Sequence, residues 1–194
     1  YAAHQPQTAP DDVPATLDRL VDVLVTKYAP LPQPGLRQLV AMLQHAVPQW
    51  KGQLRAALQR ATQRLPNAEV DGVRWFWPDG EDPASRRWKV EEHVRLLAPF
   101  DPVVWDRDRF ERLWGWAYRF EAYTPPAKRV RGYYALPLLW RDQVIGWGNL
   151  SVAEGRLQAD IGYVSGQAPK EAAYRLALDA ELANMATCLG VSSA

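Results

Sequence analysis

The side chains best suited to chemistry in this chain are cations and amides that recur at helical spacing in its first third. Lys51, Arg55 and Gln59 lie four residues apart, and Thr62 and Gln63 continue the same arc. This spacing brings side chains to one face of a helix. Lysine and arginine contact phosphate oxygens, and arginine and glutamine also pair with base edges in the major groove of DNA. The arc therefore indicates a surface for a polyanion, with a solvated helix face as the alternative.

The distribution of charge favours the same interpretation. The 194-residue chain has a formal net charge of +1, yet no acidic residue lies between Asp22 and Glu69, where six cations give +6. The remainder of the chain must then carry −5, because the two parts sum to +1. A basic segment joined to a mildly acidic one favours a polyanion as the partner of the first. The six cations are Lys27, Arg37, Lys51, Arg55, Arg60 and Arg64.

Two further groups could add contacts to a nucleic acid. Arg74 and Trp75 follow an Asp-Gly pair, and Lys128, Arg129 and Arg131 lie together before a glycine. Cations in loops and hairpins commonly bind the phosphate backbone. An aromatic residue in a hairpin is more often packed than free, and a basic loop can be only solvated. Both groups therefore count as candidate DNA-binding residues with a structural alternative beside each.

Other classes of site are disfavoured. His4, His45 and His93 are far apart, and no cysteine or carboxylate lies at metal-ligand spacing from them. There is no phosphate loop and no glycine-rich nucleotide fingerprint. The single cysteine, Cys188, makes a disulfide framework impossible. We therefore expect no metal and no cofactor, and a cytoplasmic location is the default.

The elements that must position the basic arc are three helices. The first is predicted from Thr16, as its N-cap, to the proline-rich stretch that begins at Pro30, and a second follows with Leu36 on its apolar face. Pro48 breaks the chain before a third helix. The apolar stripe of this third helix consists of Trp50, Leu54, Ala57, Leu58, Ala61 and Leu65.

Directly after the third helix come two short strand-like runs around Asp71-Gly72. This pair favours a two-residue primed turn and so predicts a hairpin. Three helices followed by a hairpin is the order of a winged helix, in which the third helix can enter the major groove while the hairpin lies along the DNA backbone. Winged helices also serve as protein-docking modules, so the pattern alone leaves DNA contact undecided.

The second half of the chain is predicted to be rich in strands. The turn-forming, acidic run from Pro78 to Pro83 marks a boundary. Antiparallel strands must close or be covered, so we expect a small barrel with a short helix near residues 107–114 and a final helix from Pro169 to Leu189. That helix should pack through Ala173, Leu176, Ala177, Ala180 and Ala183. The predicted strands are 94–97, 118–123, 133–140, 144–152 and 157–164.

Three segments of this half carry a resemblance to a known family. LAPFDPVVWDR at 97–107, YRFEAY at 118–123 and GYYALPL at 132–138 resemble the C-terminal region of the YcaQ/AlkZ family of winged-helix DNA glycosylases. Such proteins are built from tandem winged helices and a C-terminal β-barrel, and they excise alkylated bases and unhook interstrand crosslinks. The resemblance implies that residues 16–77 are the last winged helix and that 94–164 are the barrel.

The resemblance also implies where catalysis resides. The family uses a Gln-x-Asp or Gln-x-Gln motif in its N-terminal winged-helix region, and this chain, which opens at Tyr1 without an initiator Met, is expected to begin after that region. Gln5-Pro6-Gln7 lies in a segment without helical periodicity, and Gln158-Ala159-Asp160 lies in a predicted strand beside a turn. Neither setting holds a water against a sugar carbon, so we expect no catalytic residue here.

Taken together, the sequence predicts an α+β chain comprising a disordered lead-in (1–15), a winged helix (16–77), a linker (78–93) and a β-barrel domain with a C-terminal helix (94–194). Its predicted function is to bind double-stranded DNA as the C-terminal part of a repair glycosylase, as a monomer that partners the missing N-terminal winged-helix region. The alternatives are a transcription regulator with a ligand-sensing barrel and a protein-interaction module. No apolar run approaches the ~18 residues that a membrane span needs, so no membrane partner is expected.

Overall fold

The chain divides into two compact units, residues 1–83 and 84–194, and a computed structural model describes residues 12–192. Each unit combines helices with an antiparallel sheet, which confirms the α+β class. The predicted lead-in falls mostly on residues 1–11, which lie outside the described residues.

Three helices form the first unit, as predicted: α1 (Val13–Tyr28), α2 (Gln33–Ala46) and α3 (Leu54–Arg64). The predicted N-cap of α1, Thr16, is wrong by four residues. The Asp12 carboxylate accepts a hydrogen bond from the backbone N–H of Ala15 at 3.0 Å and is the N-cap. Aspartate and threonine both cap helices, so the residue that begins the helix was ambiguous in the sequence.

The apolar stripes of the three helices meet in a single core. Each stripe repeats at three- and four-residue spacing, and the stripes bury themselves against one another and against the first unit's sheet. Their buried residues are Leu17, Val21, Val25, Leu36, Leu39, Val40, Leu43, Leu54, Ala57, Ala61 and Leu65.

The sheet of the first unit has the strand order β1-β3-β2. β2 (Asn67–Val70) and β3 (Val73–Phe76) form the predicted hairpin, and Asp71 and Gly72 at its tip have φ of 51° and 71°, as a primed turn requires. β1 (Leu31–Pro32) pairs with β3 and was not predicted. A strand of two residues that follows Pro30 and itself contains Pro32 gives no alternation to detect, although Leu31 is fully buried.

A four-stranded antiparallel sheet forms the second unit, in the order β4-β5-β6-β7. The helix at 107–114 is confirmed as α4, whose N-cap Asp106 accepts a hydrogen bond from the Arg109 backbone N–H at 3.1 Å. The bounds of the elements are β4 (Val94–Leu96), α4 (Arg107–Trp114), β5 (Leu136–Trp140), β6 (Gln143–Ala153), β7 (Arg156–Tyr163) and α5 (Ala172–Leu189).

The two faces of this sheet carry separate apolar clusters. One face packs on α5, around Leu138, Trp140 and Tyr174. The other packs on α4 and on the segment that follows it, around Phe110, with rings in edge contact. Each face of the sheet is therefore packed in part against another element of the unit, while residues 158–160 of β7 remain exposed.

The predicted barrel is wrong for the described residues, because their sheet is open, with β4 and β7 at its edges. The expected strand at 118–123 does not form. Instead, the Trp116 indole donates to the Val144 carbonyl at 2.8 Å and the Tyr118 hydroxyl donates to the Ala135 carbonyl at 2.8 Å. Side chains thus anchor this segment to the sheet without strand pairing.

The edges of the sheet are covered without closure. At β4, the Leu96 backbone N–H donates to the buried carboxylate of Glu181 at 2.9 Å. At β7, the Leu157 backbone N–H donates to the carbonyl of Ser192 at 2.9 Å. Covering an edge is an alternative to closing a barrel, and the sequence pattern does not distinguish the two.

The packing face of α5 also differs from the prediction. Leu176 is 70% exposed, and Ala180 and Ala183 are exposed, although Ala173 and Ala177 do pack. Tyr174, 1% exposed, anchors the helix and shares a hydrogen bond with the Tyr163 hydroxyl at 2.8 Å. Alanine is tolerated on either side of a helix, so the side of α5 that packs on the sheet is set by its large residues, such as Tyr174. The helix begins at Ala172, three residues after Pro169.

Candidate nucleic-acid interface

α3 presents one buried and one exposed side. Ala57 and Ala61 are fully buried against the other helices of the first unit. Arg55 and Gln59, four residues apart, are exposed and lie on the same face of the helix. The structure thus places these two predicted residues together, on the side of α3 that faces solvent.

Lys51 does not lie on α3 itself. It belongs to a 3-10 turn, Pro48–Gln53, that leads into the helix, and it is exposed. The third helix was predicted to include Trp50 and Lys51, but regular α-helix starts only at Leu54. Lys51 therefore lies beside the positive end of the α3 dipole, where no acidic residue occupies the first turn. We call Lys51, Arg55 and Gln59 the α3 face.

Two of the six predicted cations are neutralised by α1. The Arg60 guanidinium donates to both carboxylate oxygens of Asp18, at 2.8–3.0 Å, and Arg64 pairs with Asp22. The hydrogen bond to Asp18 raises the pKa of Arg60 against the opposing effect of burial. Within residues 12–192, Lys51 and Arg55 form no ion pair. The free positive charge is therefore concentrated on the α3 face more than the sequence indicated.

The hairpin separates its two candidate residues. Arg74 is exposed and lies opposite Glu69 across the strand pair, whereas Trp75 is half-buried and lies beside Pro32 of β1 and Ala68 of β2. Neighbouring residues of a strand point to opposite faces of a sheet. Arg74 and Trp75 therefore cannot contribute to one surface.

The basic loop of the second unit spreads its three cations apart. Lys128 is exposed at the end of a short 3-10 turn, Pro126–Lys128. The Arg129 guanidinium lies 4.9 Å from the ring centroid of Tyr133 and donates to the Thr124 carbonyl at 2.8 Å. Lys128 keeps a solvated charge, while Arg129 is partly held within the loop.

Arg131 is enclosed by aromatic rings. Its guanidinium lies 5.0 Å from the ring centroid of Trp116 and 5.4 Å from that of Trp147, a cation–π arrangement on both sides. Trp147 in turn leaves no room for a Cβ atom at Gly162, which would meet its indole at 2.4 Å. Arg131 is therefore half-buried and packs against these two rings.

No pattern in the sequence indicates the role of Glu121. Its carboxylate is buried and accepts hydrogen bonds from three consecutive backbone N–H groups, those of residues 130–132, at 2.8–3.3 Å. Burial acts to raise the pKa of Glu121, but these hydrogen bonds and the Arg131 charge outweigh it and leave the pKa lowered. A carboxylate in an irregular segment has no periodic pattern that could have revealed its partners.

Of the two glutamine motifs, the structure describes only the one at 158–160. Gln158 and Asp160 are exposed on β7, opposite Ser151 and Asn149 of β6. Gln5-Pro6-Gln7 lies outside the residues that the structure describes. Cleaving a glycosidic bond needs a nucleotide taken out of the stack and a group held against it. An exposed pair on an edge strand offers no such enclosure.

Comparison with known proteins identifies the family. No solved structure matches the chain, and no helix of residues 12–192 has the length and apolar character to cross a membrane. A family model described as "DNA glycosylase AlkZ-like" matches residues 1–188. This match spans both units, including the α3 face and the basic loop. The chain therefore belongs to the AlkZ-like family of DNA glycosylases.

Proposed function

We propose that this chain is the DNA-binding C-terminal portion of a cytoplasmic repair glycosylase that excises alkylated bases or unhooks interstrand crosslinks. In this proposal residues 16–77 are a winged helix, and the α3 face enters a groove of duplex DNA. The observation that carries it is the exposed pair Arg55 and Gln59 on α3, next to the unpaired charge of Lys51. Membership of a DNA glycosylase family supports DNA as the partner.

Each proposed contact follows from side-chain chemistry. Arg55 can pair with two acceptors of guanine and Gln59 with adenine, whereas Lys51 suits a phosphate. Arg74 on the exposed side of the hairpin and Lys128 in the second unit would bind the backbone. Arg129 would make a further contact with the DNA backbone beside Lys128. Trp75 and Arg131 support the fold in this proposal, because both pack against neighbouring groups.

We also propose that the chain is not catalytic alone. The exposure of Gln158 and Asp160 on β7 supports this proposal, because an exposed pair encloses no nucleotide. Holding the duplex positions a lesion, but a separate group must orient the water that attacks the sugar. That group would come from the N-terminal winged-helix region of the same protein.

Charge reversal on α3 tests the duplex contact. Arg55→Glu should weaken binding to a 20-base-pair duplex by about 5- to 150-fold, since a direct DNA contact is worth about 1–3 kcal/mol. The matched control is Arg37→Glu, which makes the same charge change at an exposed position of α2. Fluorescence anisotropy at 50 mM salt measures both. Equal losses in the two variants would show that only overall charge matters and would refute the α3 contact.

The same binding assay, together with measurements of oligomeric state and of base release, separates the proposed function from the alternatives. A repair clamp should be monomeric and bind unrelated duplexes with similar affinity, whereas a regulator should be dimeric and prefer one sequence. Base release from an alkylated or crosslinked duplex should be absent with this chain alone. Release by this chain would place the catalytic group within it and contradict the non-catalytic assignment.

A further inference from the structure

The second unit exposes a cluster of aromatic rings that the proposed duplex contact does not use. Phe120 is its centre and lies 5.5 Å from Phe100, 6.2 Å from Tyr123 and 4.9 Å from Tyr134, between ring centroids. Tyr133 is next in the chain to Tyr134. We call these five residues the aromatic surface. Tyr123 is 91% exposed, Phe100 71%, Tyr133 59% and Tyr134 47%.

So much exposed aromatic area is unusual for a surface without a ligand. Large aromatic side chains normally supply the core of a domain, and contiguous exposed apolar patches mark binding sites. The rings around Phe120 meet at angles of 68–88°, so they touch by edges and are not stacked face to face. Tyr123 is the most exposed of the five residues, with only about a tenth of its surface covered. The aromatic surface therefore offers planar faces to a flat partner.

The segment that carries Tyr123, Tyr133 and Tyr134 is positively charged, whereas Phe100 is followed by Asp101, whose carboxylate accepts a hydrogen bond from the Val103 N–H. No acidic residue lies between Glu121 and Asp142, a stretch that contains Lys128, Arg129 and Arg131. Glu121 itself is buried, with its carboxylate bound by backbone N–H groups. Arg129 stacks on Tyr133 and so joins a cation to the rings.

The loop that carries these groups is held in one conformation. Beyond the contacts of Glu121, the Asn149 side chain donates to the Arg131 carbonyl at 2.7 Å. Gly132 has a φ of 129°, and a Cβ atom there would lie 2.3 Å from the Asn149 side chain. A surface that is ordered before binding loses less entropy when the ligand arrives. The rings are therefore presented as a preformed platform.

We propose that the aromatic surface binds unpaired nucleotides of DNA by stacking bases on its rings, with Lys128 and Arg129 close to the phosphates. Open aromatic faces beside cations are the combination that single-stranded nucleic acids require, because every base has a flat face and every linkage a negative charge. A protein partner would also use aromatic anchors, but the cations of the loop at 122–141, which contains no acidic residue, favour a polyanion. This inference rests on the proposed function in one respect, the choice of DNA as the nucleic acid. It adds a second contact in a different unit, suited to a strand whose pairing is disrupted by damage.

A single-strand binding assay tests this inference. Fluorescence anisotropy is measured with a labelled 20-residue oligothymidine and, separately, with a duplex of equal length. Tyr123→Ala should weaken oligothymidine binding by about tenfold, a typical effect of losing one base–ring stack. Tyr123→Phe keeps the ring and should stay within twofold of the unchanged chain. Because Tyr123 is so exposed, neither change should alter the thermal melting temperature.

The controls distinguish this site from general affinity and from the α3 face. Trp88→Ala removes another exposed ring of the same unit, 54% exposed, and should change oligothymidine binding by less than twofold. Tyr123→Ala should leave duplex binding within twofold, whereas Arg55→Glu should weaken the duplex far more than oligothymidine. An unchanged affinity in Tyr123→Ala, an equal loss in Trp88→Ala, or no binding of oligothymidine at 50 mM salt would overturn the inference. A failure confined to the duplex arm would instead count against the proposed function.

Discussion

At the scale of single residues, the buried carboxylate of Glu121 illustrates how one side chain replaces a strand. A buried charge is costly unless it is fully hydrogen-bonded. Three backbone N–H groups supply those bonds, so the segment from Glu121 to Gly132 is ordered without sheet pairing. The charge on this residue therefore stabilises the loop that bears the aromatic surface.

The lowered pKa of Glu121 gives a stability that depends on pH. A carboxyl group whose pKa is lower in the folded state contributes stability above its unfolded value and loses it as the pH falls. We expect the urea midpoint to decline as the pH drops through the ordinary glutamate value of 4.5 and below. Glu121→Gln should lower the midpoint at pH 7 and make the decline shallower. Parallel curves for the two chains between pH 7 and pH 3 would contradict this account.

At the scale of elements, edge strand β4 depends on α5. Glu181 is 8% exposed, accepts from the Leu96 N–H, and has Arg95 at 3.6 Å. Helix and strand are far apart in sequence, so neither pattern predicts the contact. In a closed barrel the Leu96 N–H would pair with a neighbouring strand. Here the Glu181 carboxylate accepts its hydrogen bond instead.

Replacement of Glu181 should destabilise the second unit most when the new side chain cannot accept a hydrogen bond from the Leu96 N–H. Glu181→Ala leaves a buried N–H without a partner, which costs about 1–3 kcal/mol. Glu181→Gln keeps an acceptor oxygen and should cost less than half as much. Urea denaturation monitored by tryptophan fluorescence measures both changes. Equal effects of the two substitutions would mean that packing, and not the hydrogen bond, explains the loss.

What the sequence could predict at this scale follows from local pattern. Large apolar residues at fixed spacing identified the helices of the first unit, and Asp71-Gly72 identified the hairpin. The face of α5 was mispredicted because alanine gives little contrast between its sides. The segment at 118–123 alternates like a strand, yet Tyr118 and Glu121 bind backbone groups distant in sequence.

The candidate site divides in the same way. Exposed positions of a helix follow from its periodicity, so Arg55 and Gln59 could be predicted. The pairing of Arg60 with Asp18 depends on how α1 and α3 pack, and the enclosure of Arg131 depends on Trp116 and Trp147. Such tertiary contacts leave no trace in residue type or spacing.

At the scale of the whole molecule, net charge does not draw DNA to the first unit. Residues 1–83 contain eight cations and nine carboxylates. Attraction must come from the separation of charge, with acids on α1 and near the hairpin and cations on the α3 face. Binding should therefore depend on a few short-range contacts with phosphates and bases.

The dependence of duplex affinity on salt measures the number of those contacts. Three or four phosphate contacts predict a loss of about 40- to 150-fold between 50 and 200 mM salt. Anisotropy titrations at four salt concentrations give the slope, and Lys51→Ala should reduce it by about one contact. A slope near zero would exclude phosphate binding. A slope that is the same in Lys51→Ala as in the unchanged chain would show that Lys51 contacts no phosphate.

The backbone that runs beside β7 has a practical consequence for anyone who shortens this protein. The Ser192 carbonyl accepts from Leu157, and its N–H donates to the Gly155 carbonyl at 3.0 Å, so residues 190–192 shield the beginning of an edge strand. Ending the chain at Leu189 would uncover those donors and acceptors, which are a template for strand addition by another copy. A truncation that spares every predicted DNA contact would then yield a protein prone to aggregate.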